Sequence, residues 1–221
     1  SGTPIVNESG VRASEDLQVE FDPRLMNLQE PYIVEVKLHA AEGAVLFEES
    51  TRIYRWERPT ALREDGVLIV DGEPFFPRIG YHVPEEDYPL VNETINAVQG
   101  LRDSPDRYNH DRVRESLDAA HAHGLKVFLP VYPNLWDLEG PQGFDYVQEK
   151  VTQLKDHPAL IGWMIYDEPN KYEDSIPTLV EDLAEIYRII RSIDEKNPTY
   201  MVVADPPSVP SLGRLTDIIV T

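Results

Sequence analysis

Hydrophobic and polar positions alternate along the first quarter of the chain. Tyr32 to Leu38 (YIVEVKL) sets apolar and charged residues in turn, the pattern of a strand with one wetted face. Val45 to Phe47 and Thr51 to Trp56 (TRIYRW) predict further short strands, and Ala40 to Ala44 holds a glycine-centred turn. Residues 1–60 therefore read as part of an immunoglobulin-like β-sandwich with its linker. Such domains usually hold about 100 residues, so the first strands are expected outside this sequence.

Glu57 to Asp65 (ERPTALRED) is polar and contains Pro59, which marks a linker. From Gly66 to Thr221 the rhythm becomes strand and helix in turn. Val67 to Val70 and Glu73 to Phe76 flank Asp71-Gly72, a strong two-residue hairpin signal. Phe75 to Tyr81 leads into a first strand ending at His82, and Glu85 to Asn92 reads as a short helix. Ile95 to Gln99 is a second strand. Asp111 to His123 is a helix with Val113, Leu117 and Ala120 on one face and Gly124 as its stop. Leu125 to Tyr132 is a third strand. Phe144, Val147, Val151 and Leu154 recur at helical spacing. Leu160 to Asp167 is a fourth strand. Ser175 can cap the next helix, whose stripe is Leu179, Leu183, Ile186, Ile190 and Ile193. Thr199 to Ala204 is a fifth strand, and Asp217 begins a sixth.

This repeat means parallel strands with helices outside them. Two architectures fit: an open doubly wound sheet, or a (β/α)8 TIM-type barrel cut after about five and a half strands. A full barrel needs about 250 residues, and 155 follow position 66 here. The cut barrel is favoured, with the remainder expected from a C-terminal part beyond Thr221.

Charge narrows the partners. Forty acidic residues against 20 basic ones give a net charge of -20, which argues against nucleic acid and against an anionic membrane surface. No apolar run is long enough to cross a membrane. Only six of the cations are Lys. That balance suits a salty or extracellular medium, so an extracellular or periplasmic location is favoured, although a plain solvated acidic surface reads the same way. The absence of cysteine excludes disulfides, zinc thiolates and thiol nucleophiles.

The chemistry centres on His157 to Asn170 (HPALIGWMIYDEPN). Its apolar run, Leu160 to Tyr166, does not alternate, as expected of a strand covered on both faces. Asp167 and Glu168 follow at once. Carboxylates are rarely buried without a partner, and the carboxyl ends of parallel strands are where chemistry is placed. The plain alternative is a strand-to-loop junction with two solvated acids.

DGEPFFPRIGYH (Asp71 to His82) resembles the hairpin that leads into the barrel in the clan A retaining β-glycosidases. WMIYDEPN (Trp163 to Asn170) resembles that clan's fourth-strand signature ending in Asn-Glu-Pro. A sandwich ahead of the barrel is similar to the group that includes β-galactosidases and β-glucuronidases. The resemblance implies a glycoside hydrolase acting on carbohydrate without cofactor or metal, with Glu168 as general acid/base. Asp167 replaces the family's Asn, which normally bonds the sugar 2-hydroxyl; an ionised Asp accepts such a bond and cannot donate one. The family's nucleophile, a Glu ending strand seven, has no counterpart here, so the chain alone is expected to be inactive.

Other strand ends supply candidate sugar contacts: His82 after strand one, with Gln99 more weakly after strand two. Tyr132, Asn134 and Trp136 follow strand three, where aromatic faces beside an amide suit a sugar. Asp205 follows strand five. Each has a plain structural alternative, from surface histidine to loop acid. Trp163 reads as core, and Arg78 should pair with a carboxylate, such as Asp167 or Glu168. Two further readings stand beside the hydrolase. One is a carbohydrate-binding or scaffold barrel without catalysis. The other is a metal-dependent hydrolase using His82, Asp167, Glu168 and Asp205, which suffers because most such sites use more histidines.

Overall fold

A computed structural model describes residues 22, 25–27, 31–40, 42–53, 55, 59–100 and 105–221. The chain divides into two compact units, Ser1–Glu57 and Arg58–Thr221.

In the first unit, β1 (Tyr32–His39) and β2 (Val45–Ile53) form an antiparallel hairpin around Gly43, with a register shift between Leu38 and His39. The two short strands expected between Val45 and Trp56 are one continuous strand, while Tyr54 and Trp56 lie outside the described residues. The polar stretch Glu48-Glu49-Ser50 does not interrupt it, because an exposed antiparallel strand accepts polar side chains. Lys37 on β1 pairs across the ladder with Glu48 at 2.8 Å. Ile33, Leu46 and Phe47 are exposed, and the described residues of this unit contain this hairpin and no second sheet facing it.

The second unit opens with β3 (Leu68–Val70) and β4 (Glu73–Phe75), joined by Asp71 and Gly72 at φ 53° and 85°. Two successive left-handed residues are what a type I′ turn requires, which is why Asp-Gly stands there. The chain continues through β5 (Ile79–Gly80), α1 (Tyr88–Val91), β6 (Ala97–Gln99), α2 (His110–Ala122), β7 (Lys126–Pro130), α3 (Phe144–Leu154) and β8 (Leu160–Asp167). It then forms α4 (Leu179–Ile193), β9 (Thr199–Val202), α5 (Val209–Leu212) and β10 (Ile218–Val220).

The six strands β5 to β10 pair in parallel, each beside the next in the chain, and the sheet curls as half a barrel. A doubly wound sheet reverses its strand order at a switch point. This one never reverses, so the barrel pattern is the one present.

Side chains alternate between two apolar layers. Val98, Val127, Leu129, Trp163, Ile165 and Met201 pack outward under Leu117, Val147, Leu183 and Ile186 of the helices. Ala97, Phe128, Met164 and Tyr200 face inward with Ala61 and Leu68. Gly162 sits where a Cβ would meet the Phe128 ring at 2.6 Å, so a side chain there would push two strands apart. Trp163 is core as expected: fully buried, it donates from Nε1 to Asp194 at 2.7 Å.

One cap is not expected from the sequence, and one expected cap is absent. Asn109 caps α2, accepting from the backbone of Asp111 and Arg112 at 3.1 and 3.2 Å. Ser175 caps nothing: α4 starts four residues later, after Pro177, and the Ser175 amide closes a turn onto Tyr172 instead.

Candidate active site

The hairpin β3–β4 closes the N-terminal ends of the strands. Lys126, at the start of β7, reaches Asp71 at 2.7 Å, and the Ala61 amide bonds the Lys196 carbonyl ahead of β9. The opposite rim gathers the residues that the sequence singles out. His82 lies beyond β5, Gln99 ends β6, and Tyr132, Asn134 and Trp136 follow β7. Asp167 and Glu168 close β8, and Asp205 follows β9.

Three of these share an unusual backbone. His82, Tyr132 and Glu168 have φ of 53°, 44° and 52°, and Asp71 in its I′ turn is the fourth described non-glycine residue with positive φ. Residues with a Cβ avoid this region at a cost of about 1–2 kcal/mol. Such strain is kept where surrounding contacts impose it, and it clusters at working sites. At Glu168 the imposing contacts are visible. Its amide bonds the Val202 carbonyl on β9 at 2.8 Å, and its carbonyl accepts from the Lys171 amide at 3.1 Å. The left-handed turn swings the Glu168 side chain off the strand direction and starts the short 3-10 turn Pro169–Tyr172.

Glu168 is partly exposed and forms an ion pair with Lys171, three residues on. Hydrogen bonding to Glu168 raises the Lys171 pKa. Asp167 accepts from the Tyr81 hydroxyl at 3.0 Å, across 86 residues of chain, and the Tyr81 ring lies edge-on to His82 at 4.4 Å. Tyr81 and Lys171 thus join the site although the sequence singles out neither: Tyr81 sits within the Asp71–His82 stretch beside His82, and Lys171 directly follows Trp163–Asn170.

An aromatic row crosses the rim. Tyr132 stacks on Tyr166 at 4.7 Å, Tyr166 meets Tyr172 edge-on at 6.1 Å, and Tyr172 meets Trp136 edge-on at 5.1 Å. Burial pushes the Tyr166 hydroxyl up to about 12, so it stays protonated through the neutral range. Asn134 spends its amide oxygen on the Trp136 backbone at 3.2 Å, which makes it a shaper of this loop. Lys150, entirely buried and lowered by that burial to about 7, donates to Pro130 O, Arg107 O and Tyr146 Oη at 2.8, 3.2 and 2.6 Å. It ties the loop after β6 to the end of β7.

Gln99 is buried on the inner face and donates to the Tyr200 hydroxyl at 2.6 Å, while its Oε1 has no partner. Asp205 accepts from the Ser208 hydroxyl at 3.2 Å and serves its own turn. Arg78 is exposed and forms no ion pair with Asp167 or Glu168; its backbone amide bonds Asn96 at 2.6 Å, at the far end of a two-residue strand. Among the described residues no group of three or more His, Asp or Glu side chains is placed to hold a metal ion, so His82, Asp167, Glu168 and Asp205 do not converge as ligands. No described helix is long and apolar enough to cross a membrane.

No family model and no curated protein matches the chain. Solved structures do. A glycosyl hydrolase family 2 member from Bacteroides cellulosilyticus aligns with a TM-score of 0.52 at 17% identity, over 86% of this chain and 27% of that one. A β-D-glucuronidase from Dictyoglomus thermophilum gives 0.51 at 18%, over 86% of this chain and 36% of that one. The chain thus spans about a quarter to a third of the length of these glycoside hydrolases, and what it shares with them is the fold.

Proposed function

We propose that this chain carries the acid/base half of a retaining β-glycosidase site, with Glu168 as the general acid/base. The observation that carries the reading is Glu168 itself, a carboxylate at the carboxyl end of the fourth parallel strand, held by a left-handed backbone. The β-glycosidase-like fold of the solved relatives supports it.

Retaining hydrolysis needs two carboxyl groups about 5 Å apart: one protonates the leaving oxygen, and the other attacks the anomeric carbon to form a glycosyl-enzyme. Glu168 supplies the proton and then takes one back from the incoming water. In this reading the chain contributes the acid/base carboxyl, and the nucleophilic carboxyl comes from elsewhere. Asp167, oriented by Tyr81, accepts from a sugar hydroxyl. His82 and Tyr132 lie around the sugar ring, Asn134 and Asp205 shape the loops beside it, and Trp136 stands further out toward solvent. The ion pair with Lys171 has to open before Glu168 meets a glycosidic oxygen, so substrate displaces the ammonium.

That ion pair also favours a second reading, a carbohydrate-binding barrel in which Glu168 is a structural partner of Lys171. Glu168→Gln in the enzyme containing this chain separates the two. The hydrolase reading expects turnover of an unactivated glycoside to fall by about 10² to 10⁴ with folding intact. Unchanged turnover removes Glu168 from the chemistry.

A further inference from the structure

Trp136 is the largest aromatic side chain described on this rim, and it is 61% exposed. The loop around it is firmly held. Leu135 on one side is buried, and Leu138 packs against the core on the other. The Asn134 amide bonds the Gln142 carbonyl at 2.8 Å, and the Asp137 amide bonds the Asn134 carbonyl at 3.0 Å. The Phe144 amide bonds the Leu138 carbonyl at 2.8 Å. A loop with this many internal bonds presents its tryptophan outward by construction.

The T-shaped contact with Tyr172 covers at most one face of Trp136, so at least one face of the indole stays clear of its partner. Tyr172 belongs to the 3-10 turn that Glu168 begins, which places the pair beside the candidate acid. Exposure grades along the row, from Tyr132 at 8% through the half-buried Tyr166 and Tyr172 to Trp136 at 61%. The exposed residues nearest Trp136 in the loop, Asp137 and Glu139, are acidic, which disfavours an anionic ligand or lipid surface, and an open aromatic face beside them suits a neutral sugar ring.

We propose that Trp136 and Tyr172 form a subsite for the leaving-group side of a neutral β-linked oligosaccharide, one sugar beyond the bond that Glu168 protonates. This rests on Glu168 as the acid/base of the site. The sugar whose bond breaks lies toward the buried end of the row, where water is excluded. The leaving sugar extends toward solvent and stacks on the exposed end. The substrate class is therefore an oligosaccharide with at least one recognised sugar on its leaving side.

Calorimetry of the 221-residue protein with β-linked gluco-, galacto- and xylo-oligosaccharides of one to four units tests the subsite. Affinity should rise with length for at least one series. Trp136→Ala should lose about five- to tenfold more affinity for the trisaccharide than for the monosaccharide, and Trp136→Phe should recover most of it. Absence of binding in every series, no gain with length, or an Ala variant that matches wild type each overturns the subsite. Glu168→Gln in the full enzyme separates this from the reading beneath it. If turnover survives that change while Trp136→Ala still shortens the length response, the acid/base role falls and a saccharide subsite on the aromatic row stands. If turnover collapses and Trp136→Ala changes nothing, Glu168 keeps its role and the subsite is gone.

Discussion

At the N-terminal ends of β7 and β9, an ion pair and backbone bonds fasten the β3–β4 hairpin beneath the sheet, and its one positive-φ side-chain residue, Asp71, sits in a turn that asks for it. At the C-terminal end of the same sheet, beyond β5, β7 and β8, His82, Tyr132 and Glu168 hold left-handed backbones outside that two-residue hairpin turn, Gln99 of β6 buries an unpaired oxygen, and Trp136 stands in water. The sheet is shared, so the difference lies in what each end has been given to do. Local strain and unsatisfied polarity concentrate where a parallel sheet places its chemistry, and the opposite end carries stability.

The sharpest test of this division is at the stable end. Leu68 is 5% exposed and packs with Ala61 and Phe128 under the half-barrel. Leu68→Ala should cost about 2–4 kcal/mol, the usual range for an aliphatic core truncation. The readout is the urea midpoint, alongside oligosaccharide affinity at a concentration where both proteins are folded. A large loss of affinity with little change in midpoint would break the division.

The rim should respond in the opposite sense. His82→Gly removes the Cβ that resists φ 53° and frees the unfolded chain slightly. The two effects leave the variant neutral or more stable by up to about 1 kcal/mol. Thermal unfolding that shows a loss beyond about 1 kcal/mol would mean that His82 contributes packing, and that the strain is not stored there.

Much of the fold is legible in the order of residues alone. Leu160–Asp167 is found at its expected bounds, because a seven-residue apolar run has no solvent face to confuse its ends. The stripe of α4 is found for the same reason, four of its five positions being fully buried. What is not visible depends on contacts across distance. Tyr81 to Asp167 spans 86 residues, and nothing local at either position marks the other. Lys150 flanks the apolar stripe of its helix without any local signal, and it is buried because three oxygens from two other segments and its own helix converge on it. Among the candidate site residues, Glu168 and Asp167 are legible as acids ending a buried strand. The aromatic row is legible only as separate aromatics, since Tyr172 lies beyond the motif and Trp136 lies in a loop whose path no periodicity describes.

The smallest expected effect concerns the ion pair that occupies Glu168. Hydrogen bonding to Glu168 holds the exposed Lys171 above its ordinary 10.5. A lysine raised in the folded state adds stability that is fully present below its unfolded pKa and is lost as pH rises through the folded value. The window therefore opens near pH 10.5 and extends upward, and solvent screening keeps the contribution small at so exposed a site. Glu168→Gln removes both the hydrogen-bonded anion and the charge, so Lys171 should titrate lower in the variant than in the wild type, back toward 10.5. Nitrogen-detected NMR of the lysine ammonium groups reads this directly, independent of any activity. An unmoved Lys171 would mean that the ammonium is not held by Glu168 in solution, and that the acid meets its substrate without a partner to displace.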